Sequence, residues 1–516
     1  LEQEGIHSIM VNSNSETVST DYDTSNRLYF EPLDDESIQD ILENEAVLTQ
    51  DNDTLFPPTM VQFGGQTAIN LSQFLDRIEM PILGSTAQSI DMAADRHLFE
   101  EFLGRIGIPN PPGAAVSSTE QALTVAQEVG YPVLVRPSYV TGGRAMEIVQ
   151  NANELGKYID DAIEAGRGRR VLIDKYFEGR EVEVDAVCDG DTVLIPGIME
   201  HIERAGVHSG DSMAIYPSLT LTEEEINTIV DYTTRISRGL KIRGLLNIQF
   251  VVIGGPSYRS PSTAAKQDSD QQTEVYVIEV NPRASRTIPF ISKVTGVPMV
   301  KLAIKSMLGQ SLKMQGYKGG LCEKQNLVGV KAPVFSMSKL GGVDTYLGPE
   351  MKSTGEVMGI DYDFPSAVSK AFMAAGLTLP PKGSILLSIA DRDKGDSVQM
   401  IRHLASAGYS LYATEGTAAT IKELDILVIS VPKRLDGGHP NVVDLIDNGS
   451  VDAVVNTVTG DRQVLQDGFH IRRAAVERRI PLFTSLDTAR AAAESLSKNP
   501  NSYSVKPLSQ YLSKKR

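Results

Sequence analysis

Two short apolar runs constrain this chain more than any other part of it. Leu245-Leu-Asn-Ile-Gln-Phe-Val-Val252 and Val275-Tyr-Val-Ile-Glu-Val-Asn281 are rich in β-branched and aromatic residues and read as neighbouring strands. In a strand, residues two apart face the same side. Val277, Glu279 and Asn281 are therefore expected on one face, with Tyr276, Ile278 and Val280 packed on the other; Asn247 and Gln249 share a face of the preceding strand. Gln249, Glu279 and Asn281 then offer oxygens from one wall. Mg²⁺ takes such hard oxygens in octahedral array, with waters and substrate phosphates completing the shell. A half-exposed sheet with its polar residues outward has the same spacing, so the pair alone leaves both open. Between the runs, Gly254 to Glu274 is rich in Ser, Pro, Gln and Asp, a composition that cannot bury a core, and is expected to be an exposed loop.

The surroundings favour the metal. Asn281 is followed by Pro-Arg283-Ala-Ser-Arg286, which sets two guanidinium groups just beyond the carboxylate. Upstream, Val133-Leu-Val-Arg136-Pro-Ser-Tyr-Val-Thr-Gly142-Gly143-Arg144 reads as a strand, a glycine loop and a second strand. Glycines let backbone N–H groups approach phosphates, and Arg136 and Arg144 add charge. A plain hairpin explains the glycines but not two arginines facing a matching acidic site. Arginine clamps, a glycine loop and oxygen-bound Mg²⁺ are what phosphoryl transfer requires.

A length of 516 residues suggests roughly three domains. The net charge of −17 argues against nucleic acid or an anionic membrane as a general partner. It does not exclude a nucleotide held by a local arginine cluster. Cys188 and Cys322 can form no disulfide framework and have no metal-ligand spacing, so they are expected reduced and in apolar surroundings, in a cytoplasmic protein. No apolar run is long enough to span a membrane. The opening Leu1-Glu-Gln-Glu-Gly5 has neither Met nor a signal-peptide pattern; it reads as a helix end closed by Gly, then a strand Ile9-Met-Val11, and the chain is expected to be a fragment.

Four stretches follow. Residues 1–83 form a strand-and-helix layer in which Met60-Val-Gln-Phe63 reads as a strand entering Gly64-Gly65-Gln66-Thr67, either a phosphate cradle or a bare turn. Residues 84–308 hold the chemistry, with a capping box at Thr222 and Glu225 ahead of a helix. Residues 309–382 are a mixed connector rich in Gly and Pro. From 383 to 516 a small α/β unit restarts: Ile385-Leu-Leu-Ser-Ile389 and Val451-Asp-Ala-Val-Val-Asn456 as strands, Asp396 capping a helix that Gly408 ends, and a polar, frayed tail after Ser495.

At this point the residues match a known family. Arg136-Pro-Ser-Tyr-Val-x-Gly-Gly-Arg144-Ala-Met-Glu-Ile, Glu200-His-Ile-Glu203-x-Ala-Gly-Val-His208-Ser-Gly-Asp211 and Glu279-Val-Asn-Pro-Arg-Ala-x-Arg286-Thr closely resemble the large subunit of carbamoyl phosphate synthetase. Met10-Val-Asn-x-Asn-x-Glu-Thr-Val-Ser-Thr-Asp-Tyr-Asp-Thr and Pro349-Glu-Met-Lys-Ser-Thr-Gly-Glu356 look like it too, so the likeness covers nearly the whole chain. It implies an α/β and α+β multidomain fold: a pre-ATP-grasp α/β layer lacking its opening strand and glycine turn, an ATP-grasp fold, a connector and a terminal α/β domain resembling methylglyoxal synthase. One ATP-grasp set followed by that terminal domain is the order of the family's second half. The implied reaction is carbamate + ATP → carbamoyl phosphate + ADP, serving pyrimidine and arginine synthesis. Implied partners are the bicarbonate-phosphorylating half, a glutaminase small subunit and further copies in an oligomer, and glutamine-dependent synthesis is expected to fail for this chain alone.

Carried over by the resemblance, Gln249, Glu279 and Asn281 hold Mg²⁺ or Mn²⁺. Arg136 contacts the ATP phosphates, and Gly142, Gly143 and Arg144 cover them. Arg283 and Arg286 steady the transferring phosphoryl and carbamate. Lys175 to Phe177 form a hinge that holds adenine by its backbone, Glu181 meets the ribose, and Gly206, Val207, His208 and Ser209 complete the pocket. His208 with His201 lacks the further ligands of a zinc site. In the terminal domain Lys394, Thr414, Thr417, Lys433, Asn456 and Thr457 fall where the family binds nucleotide effectors such as UMP or IMP, although each Thr alone also serves as a helix cap. Glu203 and Asp211 match positions that some members use for ornithine. Thr141 stands where the family often has Leu, and Val458 where it can carry a hydroxyl, which leaves the effector open. Another ATP-grasp carboxylate–amine ligase, or a non-catalytic nucleotide-binding module, stands as the alternative. Methylglyoxal synthase activity is not expected, because the terminal domain shows no catalytic carboxylate site.

Overall fold

Strict alternation builds the largest sheet. In the strand Arg180–Asp189, Val182, Val184, Ala186 and Cys188 point to one face, and Glu181, Glu183, Asp185 and Val187 to the other. The first set packs with Phe99, Phe102, Ile229 and Ile236 in one apolar cluster. The computed structural model describes residues 1–137, 146–165, 170–254, 273–337, 343–433, 438–458, 462–496 and 504–512. Its nine-stranded sheet runs Glu274–Asn281, Arg243–Ile253, Arg180–Asp189, Ile198–Arg204, Ala214–Tyr216, Val328–Val334, Gly355–Asp361, with Val193–Ile195 and Gly320–Leu321 beside it. The last two strands of the main row come from the stretch expected to be a separate connector; they continue the same sheet. The helix Glu223–Gly239 backs it. The capping box at Thr222 and Glu225 forms as expected, and Glu225 also takes the buried Arg180 guanidinium at 2.5 Å.

One expectation about this sheet fails. Gln249 stands opposite Glu279, but the next residue, Phe250, stands opposite Val277, so Ile278 is the extra residue of a β-bulge. Beyond the bulge the faces exchange. Val277 is fully buried in the core, and Tyr276, expected there, shares the face of Glu279.

A smaller antiparallel sheet, in the order Gly113–Val116, Val171–Lys175, Val133–Pro137, Glu147–Val149, buries its own core under helices Thr119–Val129 and Ala152–Ala165. In the leading layer Ile9–Val11 pairs in parallel with Arg27–Tyr29, after a single 3₁₀ turn, Glu2–Glu4, closed by Gly5 at φ 72°. Met60 to Phe63 forms no strand. Only Thr59 bridges, to Ile82, while Val61 and Gln62 are buried by packing.

The terminal unit is a five-stranded parallel sheet in the order Ile429–Val431, Ser410–Thr414, Ser384–Ser388, Ala453–Asn456, Leu482–Phe483. The strand Ser384–Ser388 and the helix Phe364–Ala375 belong to one apolar cluster that continues into the large sheet at Val330 and Ala332. The helix Lys394–Ser406 has its N-cap at Asp393, three residues before the expected cap, so Asp396 lies in its first turn and turns its carboxylate to Arg204 at 2.7 Å. The tail is not frayed throughout. Leu508–Tyr511 is helical, Tyr511 is buried against the large sheet's helices, and Lys370 Nζ donates to its hydroxyl at 3.0 Å. Among the described residues no helix is long and apolar enough to cross a membrane.

Candidate functional site

The polar face of the large sheet carries the first group. Gln249 and Glu279 are direct cross-strand neighbours, as are Asn247 and Asn281, which puts the expected metal set side by side. Asn281 Nδ2 donates to Glu279 at 2.5 Å, and Gln249 Nε2 donates to Ser209 Oγ at 2.9 Å. Among the described residues no cluster of three or more His, Cys, Asp or Glu suits a metal ion. A single carboxylate with two amides is a weak cage, but it fits a cation such as Mg²⁺ that takes much of its shell from substrate phosphates and water.

Immediately after this wall, the segment Pro282 to Thr287 carries the two arginines. Gln62 grips it from the leading layer: its side-chain Nε2 donates to Pro282 O, and its backbone carbonyl accepts from Ala284 N, both at 2.8 Å. Arg283 donates to Ala284 O at 3.1 Å. Burial draws its pKa below the usual guanidinium value, and the charge of Glu279 works against that. Arg286 donates to Ser353 Oγ at 3.1 Å.

On the small sheet, Arg136 Nε stands 3.3 Å from Asp174 Oδ2, and Arg96 Nη2 donates to Asp174 Oδ1 at 2.9 Å. Arg96 also pairs with Glu100, so Asp174 and Glu100 together balance the two guanidinium groups and hold Arg136 in place on the small sheet. Gly142, Gly143 and Arg144 lie outside the described residues. In the expected hinge, the Lys175 ammonium turns away to donate to the carbonyls of Gly130 and Tyr131 at 2.9 and 2.8 Å, so this side chain braces a turn. Phe177 packs on Tyr276, ring centroids 4.7 Å apart. Glu181 is buried on the same face, and burial raises its pKa to about 7 although His201, 3.4 Å away, works against this.

The loop from Gly206 to Asp211 closes the group. Gly206 sits at φ 105°, and a Cβ there would meet Ile148 and the Tyr176 ring at 2.7 and 3.1 Å, so the position requires glycine. Val207 lies beside it in the same turn. His208 accepts from Gly210 N on Nδ1 at 3.0 Å, and burial lowers its pKa, which keeps the ring neutral. Its backbone N–H donates to Gly348 O at 2.8 Å, and Lys331 Nζ donates to Ser209 O at 3.0 Å. Glu203 and Asp211 are both buried. Glu203 accepts from Met213 N at 2.7 Å, and Asp211 from Lys352 N and Ser353 N, each at 2.8 Å.

A second group gathers at the carboxyl ends of the terminal parallel strands, where open α/β sheets take ligands. Thr414 donates to Thr417 Oγ1 at 3.2 Å, which accepts from Ile389 N at 3.0 Å, and Thr457 Oγ1 accepts from Ala390 N at 2.8 Å. Lys394 pairs with Asp391 at 2.6 Å at a helix start, and its Nζ lies 3.0 Å from where a Cβ on Gly416 would be. Burial draws the Lys433 pKa down, with Arg472 adding to the effect. Asn456 accepts from the buried Arg472 Nη1 at 2.7 Å.

Four residues of these groups escape sequence reasoning. Tyr276 was hidden by the bulge. Arg96 looks like a surface i,i+4 partner of Glu100. Gln62 was buried in an apparent strand, and Arg472 sits mid-helix beside Arg473 with nothing local to distinguish it.

The comparisons follow this anatomy. Residues 1–92 match the carbamoyl phosphate synthase preATP-grasp domain, 95–315 the ATP-binding domain of the carbamoyl-phosphate synthase L chain, and 396–484 an MGS-like domain. The chain is 53% identical over 511 residues to the carbamoyl phosphate synthase large chain of Thermomicrobium roseum, and 50% identical over 518 to that of Caldanaerobacter subterraneus subsp. tengcongensis. In each case 99% of this chain is covered, and it spans 46% and 45% of those relatives' length. In fold it resembles the biotin carboxylase domain of Hydrogenobacter thermophilus 2-oxoglutarate carboxylase (TM-score 0.54, 20% identity, 73% of this chain and 85% of that one). Campylobacter jejuni biotin carboxylase is similar (TM-score 0.54, 18% identity, 73% and 86%). With ATP-grasp architecture, an MGS-like terminal unit and half-identical relatives along its whole length, the chain belongs to the carbamoyl phosphate synthase large-chain family.

Proposed function

We propose that this chain carries out the second phosphorylation of the family, transferring the γ-phosphoryl of ATP to carbamate. The observation that carries this reading is the direct pairing of Gln249 with Glu279, followed at once by the Arg283–Arg286 segment. A carbamate oxygen forms a bond to the γ-phosphorus, the bond from phosphorus to the β,γ-bridging oxygen breaks, and ADP leaves with that electron pair. Charge spreads over the transferring group, so positioning and neutralisation are the work required. Arg283 and Arg286 supply positive charge at the acceptor side, and Arg136, helped by Arg96, supplies it along the phosphates. Phe177 and Tyr276 give the adenine an aromatic surface, with the backbone of Lys175 to Phe177 and Glu181 fixing the nucleoside. Gly206 to Ser209 close over it. Mg²⁺ held by Gln249, Glu279 and Asn281 would neutralise phosphate charge; Mn²⁺ suits the same oxygens. The domain limits 1–83, 84–308, 309–382 and 383–516 are part of the proposal, as are a cytoplasmic setting, the partnership with a bicarbonate-phosphorylating half and a glutaminase subunit, and oligomer formation. So is nucleotide-effector binding at Lys394, Thr414, Thr417, Lys433, Asn456 and Thr457.

The test runs the step backwards. The chain with ADP, Mg²⁺ and carbamoyl phosphate should generate ATP, read by luciferase. A chain that binds ADP but makes no ATP from carbamoyl phosphate would point to another ATP-grasp ligase, and one that binds no adenine nucleotide at this site would sink the reading.

A further inference from the structure

Behind the arginine segment lies a buried cluster whose protons can be counted. Asp185 is 0% exposed. Its Oδ1 lies 2.9 Å from Asn247 Nδ2 and 2.6 Å from Ser285 Oγ, and its Oδ2 lies 2.6 Å from Thr287 Oγ1. Thr287 Oγ1 is also 2.8 Å from Glu183 Oε1 and 2.8 Å from Ser285 Oγ. Asn247 Nδ2 reaches Glu183 as well, at 2.7 Å, so its two protons serve the two acids. Four oxygen–oxygen contacts then remain among Ser285, Thr287, Asp185 and Glu183, and the two hydroxyls bring only two protons. Were both acids ionised, a lone pair of a hydroxyl would face a carboxylate at hydrogen-bond distance. One proton on Asp185 Oδ2 removes this conflict. It bridges to Thr287 Oγ1, whose own proton is freed for Glu183, and only the contact between the two neutral hydroxyls goes without one.

The proton belongs on Asp185 rather than Glu183. His201 Nε2 stands 3.2 Å from Glu183 Oε2 and can donate to its anion, whereas the groups touching Asp185 are an amide and two hydroxyls. Burial first, and then the charge of Glu183, push the Asp185 carboxyl well above the usual range.

We propose that Asp185 is a positioning residue that works as a neutral acid: its protonated carboxyl, held by Ser285 and Thr287, seats the segment Pro282 to Thr287 and so aims Arg283 and Arg286. Neutrality has a purpose here. An ionised carboxylate behind the segment would draw both guanidinium groups back from an anionic substrate, while a protonated one grips by hydrogen bonds and leaves their charge available. Gln62 holds the other flank, so the segment is pinned from two sides. The aim of the arginines rests on the phosphoryl-transfer reading; the seating of the segment does not.

The experiment compares Asp185→Asn with Asp185→Ala in the full chain, using two readouts. An asparagine amide can donate where Oδ2–H donates and accept where Oδ1 accepts, so it reproduces the neutral acid. The first readout is the rate at which phenylglyoxal modifies Arg283 and Arg286, followed by peptide mass spectrometry. The second is ATP formation from ADP and carbamoyl phosphate. Asp185→Ala should speed modification several-fold and lower kcat roughly 100-fold, with KM for ADP nearly unchanged, as expected for loosened aim. Asp185→Asn should stay within about threefold of the parent in both. Asp185→Asn failing as badly as Asp185→Ala would overturn the proposal, because a charge would then be required. So would an alanine variant indistinguishable from the parent in modification rate. If the parent makes no ATP but the modification pattern holds, the phosphoryl-transfer reading falls and the seating role stands. Should Asp185→Ala not fold, Thr287→Val, which removes the bridge but keeps the shape, is expected to give the same modification pattern, and unchanged rates there would refute the role.

Discussion

The two polar groups of this molecule are built on opposite plans. One lies on the open face of an antiparallel sheet, where alternation puts Glu181, Glu183, Asp185, Gln249 and Glu279 on one wall and a continuous apolar core on the other. The other lies at the ends of parallel strands whose faces are buried, so Thr414, Thr417, Asn456 and Thr457 contribute from loops and helix starts. The first plan packs ionisable groups shoulder to shoulder and has to manage their charges by sharing protons. The second brings together hydroxyls and an amide that already hydrogen-bond the backbone, with a few cations held by side chains. Charge management is thus a property of the face, and backbone geometry a property of the strand end.

That contrast can be broken most forcefully at Glu279. Glu279→Gln removes the only carboxylate of the proposed metal set and should lower ATP formation roughly 1000-fold, the scale of losing a key electrostatic group. Titration with UMP or IMP should meanwhile find the terminal site unaltered. A variant that keeps its ATP-forming rate would mean the face is not the seat of the chemistry.

At the strand ends the largest effect should be structural. Arg472 is 1% exposed and holds Asn456 at 2.7 Å, together with both carboxylate oxygens of Asp344, at 2.6 and 2.5 Å. Arg472→Ala leaves Asp344 without that guanidinium and should cost about 3 kcal/mol, measured by urea unfolding. A loss no larger than that of a surface arginine would show that the terminal site does not depend on this anchor.

The smallest effect sharpens the point about faces. Burial lifts the Glu147 carboxyl to about 7, with the Lys352 charge working against it. Its folded value lies above the unfolded one, so stability is complete below the unfolded value and is lost as pH rises through the folded one. Glu147→Gln should therefore flatten the decline in melting temperature between about pH 5 and pH 7.5. An unchanged slope would assign that decline to other groups.

Legibility in the sequence follows the same division. Period-two spacing was enough to bring Gln249, Glu279 and Asn281 together, because a sheet face is set by local geometry. It failed at Ile278, where one inserted residue exchanged the faces and moved Tyr276 to the side of Glu279; no propensity marks a bulge in a run of Val, Ile and Tyr. The stretch from 309 to 382 looked like a connector because its strands are separated by Gly- and Pro-rich segments, yet Val328–Val334 completes the large sheet through long-range pairing. Arg96, Gln62 and Arg472 are defined by partners far along the chain, at Asp174, Pro282 and Asp344, and such contacts leave no local trace.

The docked tail bears on how the terminal unit can move. After leaving that unit, the chain returns to set Tyr511 against Tyr362, ring centroids 5.2 Å apart, and to bury it in the cluster of Phe290, Ile291 and Leu302 beneath the large sheet. The unit is therefore tethered at both its entrance and its exit. Together with the apolar cluster that runs from Ile385 and Leu387 to Val330 and Ala332, these two attachments keep the unit seated on the large sheet and not hanging from it as a pendant. Any signal it sends must therefore pass through that seam, and removing the residues from 504 onward should loosen the seam without touching a ligand.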